Sequence, residues 1–252
     1  MSMYTITFSP TGGVKKVADT IASGFACESI SIDLTDRTQD FSKYTFTSDD
    51  ICIIAAPVFS GRIPKTATER LMQMHGAHAH VILVAVYGNR AFEDALVELQ
   101  DTTTHVGFIP VAGIAAISEH SIVRSVAASR PNTEDCEQLT AFAHKIQAKH
   151  NHTAETLTLP GNHPYRAYPT SVLVPSVQDS CKKCGLCAAK CPVGAISMDN
   201  PTATDQTVCI GCMRCISVCP NNNRYINLAM LAPLSERLST MCAQAKQNEL
   251  FL

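Results

Sequence analysis

Along the first 150 residues, apolar positions gather into short runs separated by stretches with helical spacing. The runs are YTITF (4–8), SISIDL (29–34), ICIIAA (51–56), VILVAVY (81–87) and GFIPVAGIAAI (107–117). They are rich in β-branched residues and bounded by polar or glycine-containing loops, which marks them as strands. Helical patterns follow from about Val14 and over about 66–75, 91–104 and 132–149. Strands alternating with helices predict a doubly wound, parallel α/β sheet with right-handed crossovers. Thr35–Asp50 is short and polar where the second crossover helix belongs, so that helix is expected to be truncated or irregular. The alternation stops after residue 150. LTLPGNHPYRAYPTSVLVPS (157–176) holds four prolines and reads as an ordered strap, because Tyr165, Tyr168 and Val172–Val174 would otherwise be exposed. From Ile226 to Leu250 the pattern is helical with an interruption at Pro233, and its expected role is packing.

The cysteines change this picture. Eight of twelve lie in CKKCGLCAAKCP (181–192) and CIGCMRCISVCP (209–220), two copies of C-x2-C-x2-C-x3-C-P set 28 residues apart. Three thiolates at this spacing reach three corners of one iron–sulfur cubane from a single tight turn. Zinc ribbons want two ligand pairs set well apart, which four cysteines in eleven residues do not supply. Cys27, Cys52, Cys136 and Cys242 are scattered, and Cys52 sits in an apolar strand as a small core residue.

Composition adds limits. The chain has 252 residues, 46% hydrophobic and 17% charged, with a net charge of −2, so a globular fold of one large or two modest domains is expected. The start MSMYTITFSP lacks a signal-peptide pattern, and no apolar run approaches the roughly 18 residues that span a bilayer. A soluble, cytoplasmic protein is expected, whose cysteines bind metal and do not form disulfides. Residues 1–150 carry a net −4 and residues 176–225 a net +2, a weak bias toward contact between them. No basic patch points to nucleic acid.

In a sheet of this kind ligands sit off the carboxyl ends of the strands. Three loops leave those ends: SPTGGVKK (9–16), APVFSGRIPK (56–65) and YGNRAFED (87–94). Two glycines at a helix start present backbone N–H groups to a phosphate, yet neither a Walker motif nor a dinucleotide fingerprint is present. The loop resembles the phosphate loop of flavodoxins, [ST]-x-T-G-x-T, with Ser9, Thr11, Gly12 and Gly13 in register and Val14 in place of the last hydroxyl. Flavodoxins hold the isoalloxazine ring of FMN between the other two loops. The resemblance therefore implies contacts from Pro57, Val58, Phe59, Ser60, Gly61 and Arg62, and from Tyr87, Gly88, Asn89, Arg90 and Phe92. Gly61 would let backbone approach the ring, Phe59, Tyr87 and Phe92 would cover its faces, and Arg62 and Arg90 would steady charge on it. The chain has no tryptophan, which excludes a tryptophan stack.

Residues 176–226 resemble bacterial-type two-[4Fe–4S] ferredoxins, in which the fourth cysteine of each run ligates the other cluster. That implies one cluster on Cys181, Cys184, Cys187 and Cys219, and a second on Cys209, Cys212, Cys215 and Cys191. As a whole the chain is similar to the flavodoxin–ferredoxin fusion proteins of anaerobic bacteria and archaea. The resemblance implies a flavodoxin-like α/β domain, a doubly wound parallel five-stranded sheet of order 2-1-3-4-5, followed by an α+β two-cluster ferredoxin domain. The implied division is 1–155, a strap over 156–175, the ferredoxin domain over 176–226 and a helical segment over 227–252. It implies electron transfer between two [4Fe–4S] clusters and FMN, with a redox partner protein or a small-molecule electron acceptor and no membrane. Two functions stay open: an electron-transfer module, and an FMN-dependent reductase of a quinone, nitro compound or unsaturated acid. A strap of this length also leaves a swapped homodimer open. His75, His78 and His80 read as a turn more than a metal tract. Glu119, His120 and Ser121 follow the fifth strand, and His120 is a weak proton-donor candidate.

Overall fold

The computed structural model describes residues 2–25, 27–150 and 157–252. The strands are β1 (Met3–Thr7), β2 (Ser29–Asp33), β3 (Ile51–Pro57), β4 (His80–Tyr87) and β5 (Ile109–Ile117). Between them run α1 (Gly13–Ser23), α2 (Lys65–Leu71) and α3 (Ala95–His105), and α4 (Thr133–His150) follows β5. β1–β5 are parallel in the order β2-β1-β3-β4-β5. Thr7 pairs with both Asp33 and Ala55, and Tyr87 with Ile117. The loops starting at Ser9, Pro57, Gly88 and Ser118 therefore leave one edge of the sheet.

α1 and α4 cover one face, burying Val14, Val17, Ile21, Leu139 and Ile146 against Ile53, Ile82 and Ile114. α2 and α3 cover the other. There the expected second crossover helix is reduced to a 3-10 turn, Phe41–Lys43, whose start is capped by Asp40 accepting from Ser42 N–H. Phe41 opens this turn and Phe46 follows it, and both are buried in the core. Short polar sequence with two anchoring rings suffices, because the sheet needs only an apolar cover there.

The five parallel strands stand in the expected order, and the C-terminal end adds to them. After β6 (Ser176–Val177), α5 (Leu186–Ala189), α6 (Arg214–Ser217), β7 (Arg224–Tyr225) and α7 (Leu228–Met241), the chain forms β8 (Glu249–Phe251), a sixth strand antiparallel to β5, where a helical segment over 227–252 was expected. Asn248 sets its register: the side-chain oxygen accepts from Ile117 N–H at 2.8 Å, and Nδ2 donates to Asp135 at 3.1 Å and Gln138 at 2.7 Å. A three-residue strand carries no periodicity that sequence can show, yet it covers the open edge of β5.

The strap is ordered where it is described. The expected boundary at 155/156 lies outside the described residues. Leu157 and Leu159 are buried in the core, and Leu159 fills the space a Cβ on Gly113 would need. Arg62 points inward, its guanidinium 4.6 Å from the Tyr165 ring centre and 4.2 Å from that of Tyr168. Asp94 accepts from the N–H groups of Asn162 at 3.0 Å and Arg166 at 2.8 Å, and from Asn162 Nδ2. Burial alone would raise the Asp94 pKa, but these donors outweigh it and hold it below the ordinary aspartate value of 3.8. A depressed folded pKa gives stability that is present above the unfolded value and lost as pH falls through the folded one. We expect proteolysis within 157–170 to rise sharply below about pH 4, and the Asp94→Asn variant to be cleaved readily already at neutral pH. No helix among the described residues is long and apolar enough to cross a membrane.

Candidate iron–sulfur centres and flavin loops

Two short pairings gather the cysteines. β6 (Ser176–Val177) pairs antiparallel with β7 (Arg224–Tyr225), and Gln178 N–H donates to Asn223 O at 2.9 Å. This closure joins the start of the first cysteine run to the end of the second, so Cys181 and Cys219 belong to one end of the unit. Cys219 Sγ accepts from Asn223 N–H at 3.2 Å, and Cys181 Sγ from Lys183 N–H at 3.5 Å. At the other end Cys191 shares an enclosed, mostly apolar cavity with Cys209, Cys212 and Cys215. α5 (Leu186–Ala189) and α6 (Arg214–Ser217) are the one-turn helices inside the two runs. Each starts after a residue in the left-handed region, Gly185 at φ 76° and Met213 at φ 62°, a turn that swings the third cysteine of the run back toward the first two.

No group of three or more Cys, His, Asp or Glu side chains among the described residues is close enough to share one metal ion. Burial pushes Cys212 up to about 12 and Cys215 up to about 11. Cys219 is held below the ordinary thiol range: burial raises it, and the N–H groups of Asn221, Asn223 and Arg224 more than offset that.

Of the three loops, the first is the most open to a ligand. Ser9 Oγ accepts from Lys15 N–H at 2.9 Å and Gly12 takes φ 95°. The N–H groups of Thr11, Gly12, Gly13 and Val14 have no acceptor among the described residues. Gly13 lies against Ser118 Oγ with no room for a side chain. Pro57, Val58 and Phe59 are half-buried and Ser60 is exposed. Arg62 is not free to face a ligand, since Glu98 binds it bidentately at 2.8 Å and Tyr165 and Tyr168 stack on it. Gly61 is overlain by Glu93 and Arg166, which leaves no space for a Cβ.

The third loop also differs from expectation. Tyr87 is buried, 5.5 Å from Phe92 between ring centres, and Phe92 lies 6.3 Å from Phe251. These rings pack with one another because β8 delivers Phe251 to them. Asn89 is buried and bonded to the tail: Nδ2 donates to Cys242 O and Gln244 O at 3.0 Å, and its oxygen accepts from Lys246 N–H at 2.8 Å. Gly88 faces the ring of His120, which would stand 2.6 Å from an added Cβ. Arg90 pairs with Glu93 at 2.8 Å. His120 Nδ1 accepts from Ile122 N–H at 3.2 Å and Val123 N–H at 3.0 Å, so its proton is on Nε2. Burial first, then the nearby Arg90, lower its pKa and keep the ring neutral. His75 is bonded into a bridge with Thr45, with its N–H on Tyr44 O at 3.0 Å.

Residues 180–223 match the family of 4Fe-4S dicluster domains. They form a 4Fe–4S dicluster domain, which holds two [4Fe–4S] clusters. One curated relative, "Protein NrfC homolog" of Haemophilus influenzae, is 40% identical over 55 residues, covering 20% of this chain and 24% of that protein. The matched stretch is thus about a quarter of that relative's length. Among solved structures, the chain is similar to a flavodoxin of Streptococcus pneumoniae TIGR4, 20% identical over 59% of this chain and 99% of that one, with a TM-score of 0.43. An archaeal flavodoxin is 14% identical over 60% and 100%, with a TM-score of 0.44. The flavodoxin-like assignment of the N-terminal domain rests on its observed strand order, β2-β1-β3-β4-β5.

The dicluster domain docks on the same side as the first loop. Arg214 Nη1 donates to Ser9 O at 3.1 Å, and its Nη2 lies 3.7 Å from Asp33. Arg70 donates to Leu34 O at 2.5 Å and Pro192 O at 2.6 Å, and Arg37 to Ala188 O at 3.5 Å. Ile210 packs against the main core. The second run and Cys191–Pro192 thus face the N-terminal domain, whereas Cys184 is exposed. Sequence reasoning did not single out Arg37, Arg70 or Arg214. Only Arg214 carried a signal, as a charged residue inside a cysteine run.

Proposed function

We propose that the chain is an electron-transfer iron–sulfur flavoprotein that passes single electrons between its two clusters and FMN, and on to a redox partner. The observation that carries this reading is the 3.1 Å bond from Arg214, inside the second cysteine run, to the carbonyl of Ser9 at the head of the open loop. The proposed ligand sets are Cys181, Cys184, Cys187 and Cys219, and Cys209, Cys212, Cys215 and Cys191. The four open N–H groups and the exposed Thr11 hydroxyl fit a phosphate dianion. Phe59, Ser60, Gly88 and Arg90 are the residues still placed to border a ring. When bound, clusters of this kind carry one electron each and a flavin holds one or two. The residues of this chain hold the two sites together: the arginine clasp fixes the docked face, and the strap makes transfer intramolecular.

The test is anaerobic purification with cofactor analysis, followed by rapid reduction of the clusters. About eight iron, eight sulfide and one FMN per chain are expected. Thr11→Asp sets a carboxylate against the phosphate, so its expected result is loss of FMN with iron retained. FAD in the native protein, or full FMN in that variant, would overturn the loop assignment. Flavin reduction at a rate independent of protein concentration is expected; a rate that scales with concentration would sink the docked-module reading.

A further inference from the structure

Arg214 stands between Cys212 and Cys215. In the first run the matching position, 28 residues earlier, is Leu186. The two runs share their cysteine spacing and closing proline but differ at every residue between, and this is the position at which a charged side chain of the second run turns inward. Arg214 lines the cavity of Cys191, Cys209, Cys212 and Cys215. Its Nη groups are engaged with Ser9 and Asp33, but its Nε–H is buried and has no acceptor among the described residues. Buried N–H groups have partners, and the acceptors that belong in this cavity are sulfurs of the cluster and its cysteines.

We propose that Arg214 is a positioning residue of the second cluster: its Nε–H donates to a sulfur there, and its charge sets that cluster's reduction potential above that of the first. Reduction adds one negative charge to a cluster, so a nearby cation and an N–H donor stabilise the reduced form. Leu186 offers neither. Other charges bear on the comparison. The first run carries Lys182, Lys183 and Lys190, but all three are exposed while the Arg214 side chain is 15% exposed, so water screens the lysines more. Arg224 is buried, bonded to Thr204 Oγ1 at 2.9 Å and Pro201 O at 2.5 Å, and lies near Cys209, Cys215 and Cys219, members of both sets. It raises both clusters and does not separate them. Asp33 opposes Arg214 from 3.7 Å but is half exposed, so water screens it more than it screens the guanidinium. The consequence is an order of use: an electron entering at the exposed Cys184 side passes on to the cluster beside the Ser9 loop. This inference rests on the ligand sets proposed above, and it is independent of the flavin.

The test is an anaerobic potentiometric titration of the full-length holoprotein, with dithionite as one-electron reductant and dye mediators, read by electron paramagnetic resonance. Two separate one-electron steps are expected. Arg214→Leu should lower only the higher step, by about tenfold in the reduction equilibrium or more, which is about 59 mV for one electron. Arg214→Lys keeps the charge and loses the Nε–H, so a smaller fall is expected. Leu186→Arg should raise the lower step. If Arg214→Leu assembles poorly, Arg214→Gln gives the same reading. An unshifted higher step at full iron content, or an equal shift of both, overturns the inference. Iron well below about eight per chain in the parent protein points instead to failure of the ligand sets.

Discussion

Replacing Cys191 with serine is expected to empty the cavity it shares with Cys209, Cys212 and Cys215. Iron and sulfide should fall from about eight to about four each, with the cluster on Cys181, Cys184, Cys187 and Cys219 retained. Loss of that other cluster would show that each run keeps its own fourth cysteine. The expected effect reaches beyond metal content. The described core of the dicluster domain is small, with Ala188, Ile196 and Cys187 its main buried cluster. Metal-binding free energy is therefore folding free energy in this segment. Protease resistance of 176–226 should drop together with the iron, and Cys219→Ser should give the complementary result.

The second large effect concerns Glu98, on α3. Its carboxylate accepts from Arg62 Nε and Nη2 at 2.8 Å, Ile63 N–H at 2.9 Å and Tyr168 O–H at 2.9 Å. The side chains of both charged partners are nearly buried, at 10% exposure for Arg62 and 5% for Glu98. Removing one member of such a pair leaves an uncompensated buried charge, so Glu98→Ala should destabilise by about 3–5 kcal/mol. Urea unfolding measures this, and cleavage within the strap should rise in step, because Tyr165 and Tyr168 stack on the guanidinium that Glu98 holds. Replacing both residues by methionine should cost much less than either single change, since no charge is then left unpaired. Equal losses from the single and double variants would show that packing, and not charge, is what the pair supplies.

The strand runs and their alternation with helices were legible because β3, β4 and most of β5 are buried on both faces and need continuous apolar stretches, while the exposed edge strand β2 shows only β-branched alternation. The cysteine runs were legible for a different reason: ligand number and spacing are written in consecutive residues. The loops were less so. Tyr87, Phe92, Arg62 and Asn89 fall within loops that border a ligand in the resembling fold. Here Tyr87 packs on Phe92 and Phe92 on Phe251 of β8, while Arg62 is held by Glu98 and the strap and Asn89 by the tail. No local pattern could reveal this, since each partner lies tens of residues or more away in the chain.

The sequence by itself determined a parallel α/β sheet, two cysteine runs of one spacing, and a glycine loop opening α1, because these depend on local periodicity and short-range spacing. Only the tertiary structure decided which cage faces the sheet. The internal repeat makes the two runs equivalent in cysteine spacing, and the choice falls to side chains that meet across the domain boundary. Arg214 reaches Ser9, and Arg70 and Arg37 reach carbonyls beside Cys191. The sixth strand was decided the same way: a three-residue segment pairs with β5 only because Asn248 is held between Ile117, Asp135 and Gln138, contacts that exist once the rest of the sheet has formed.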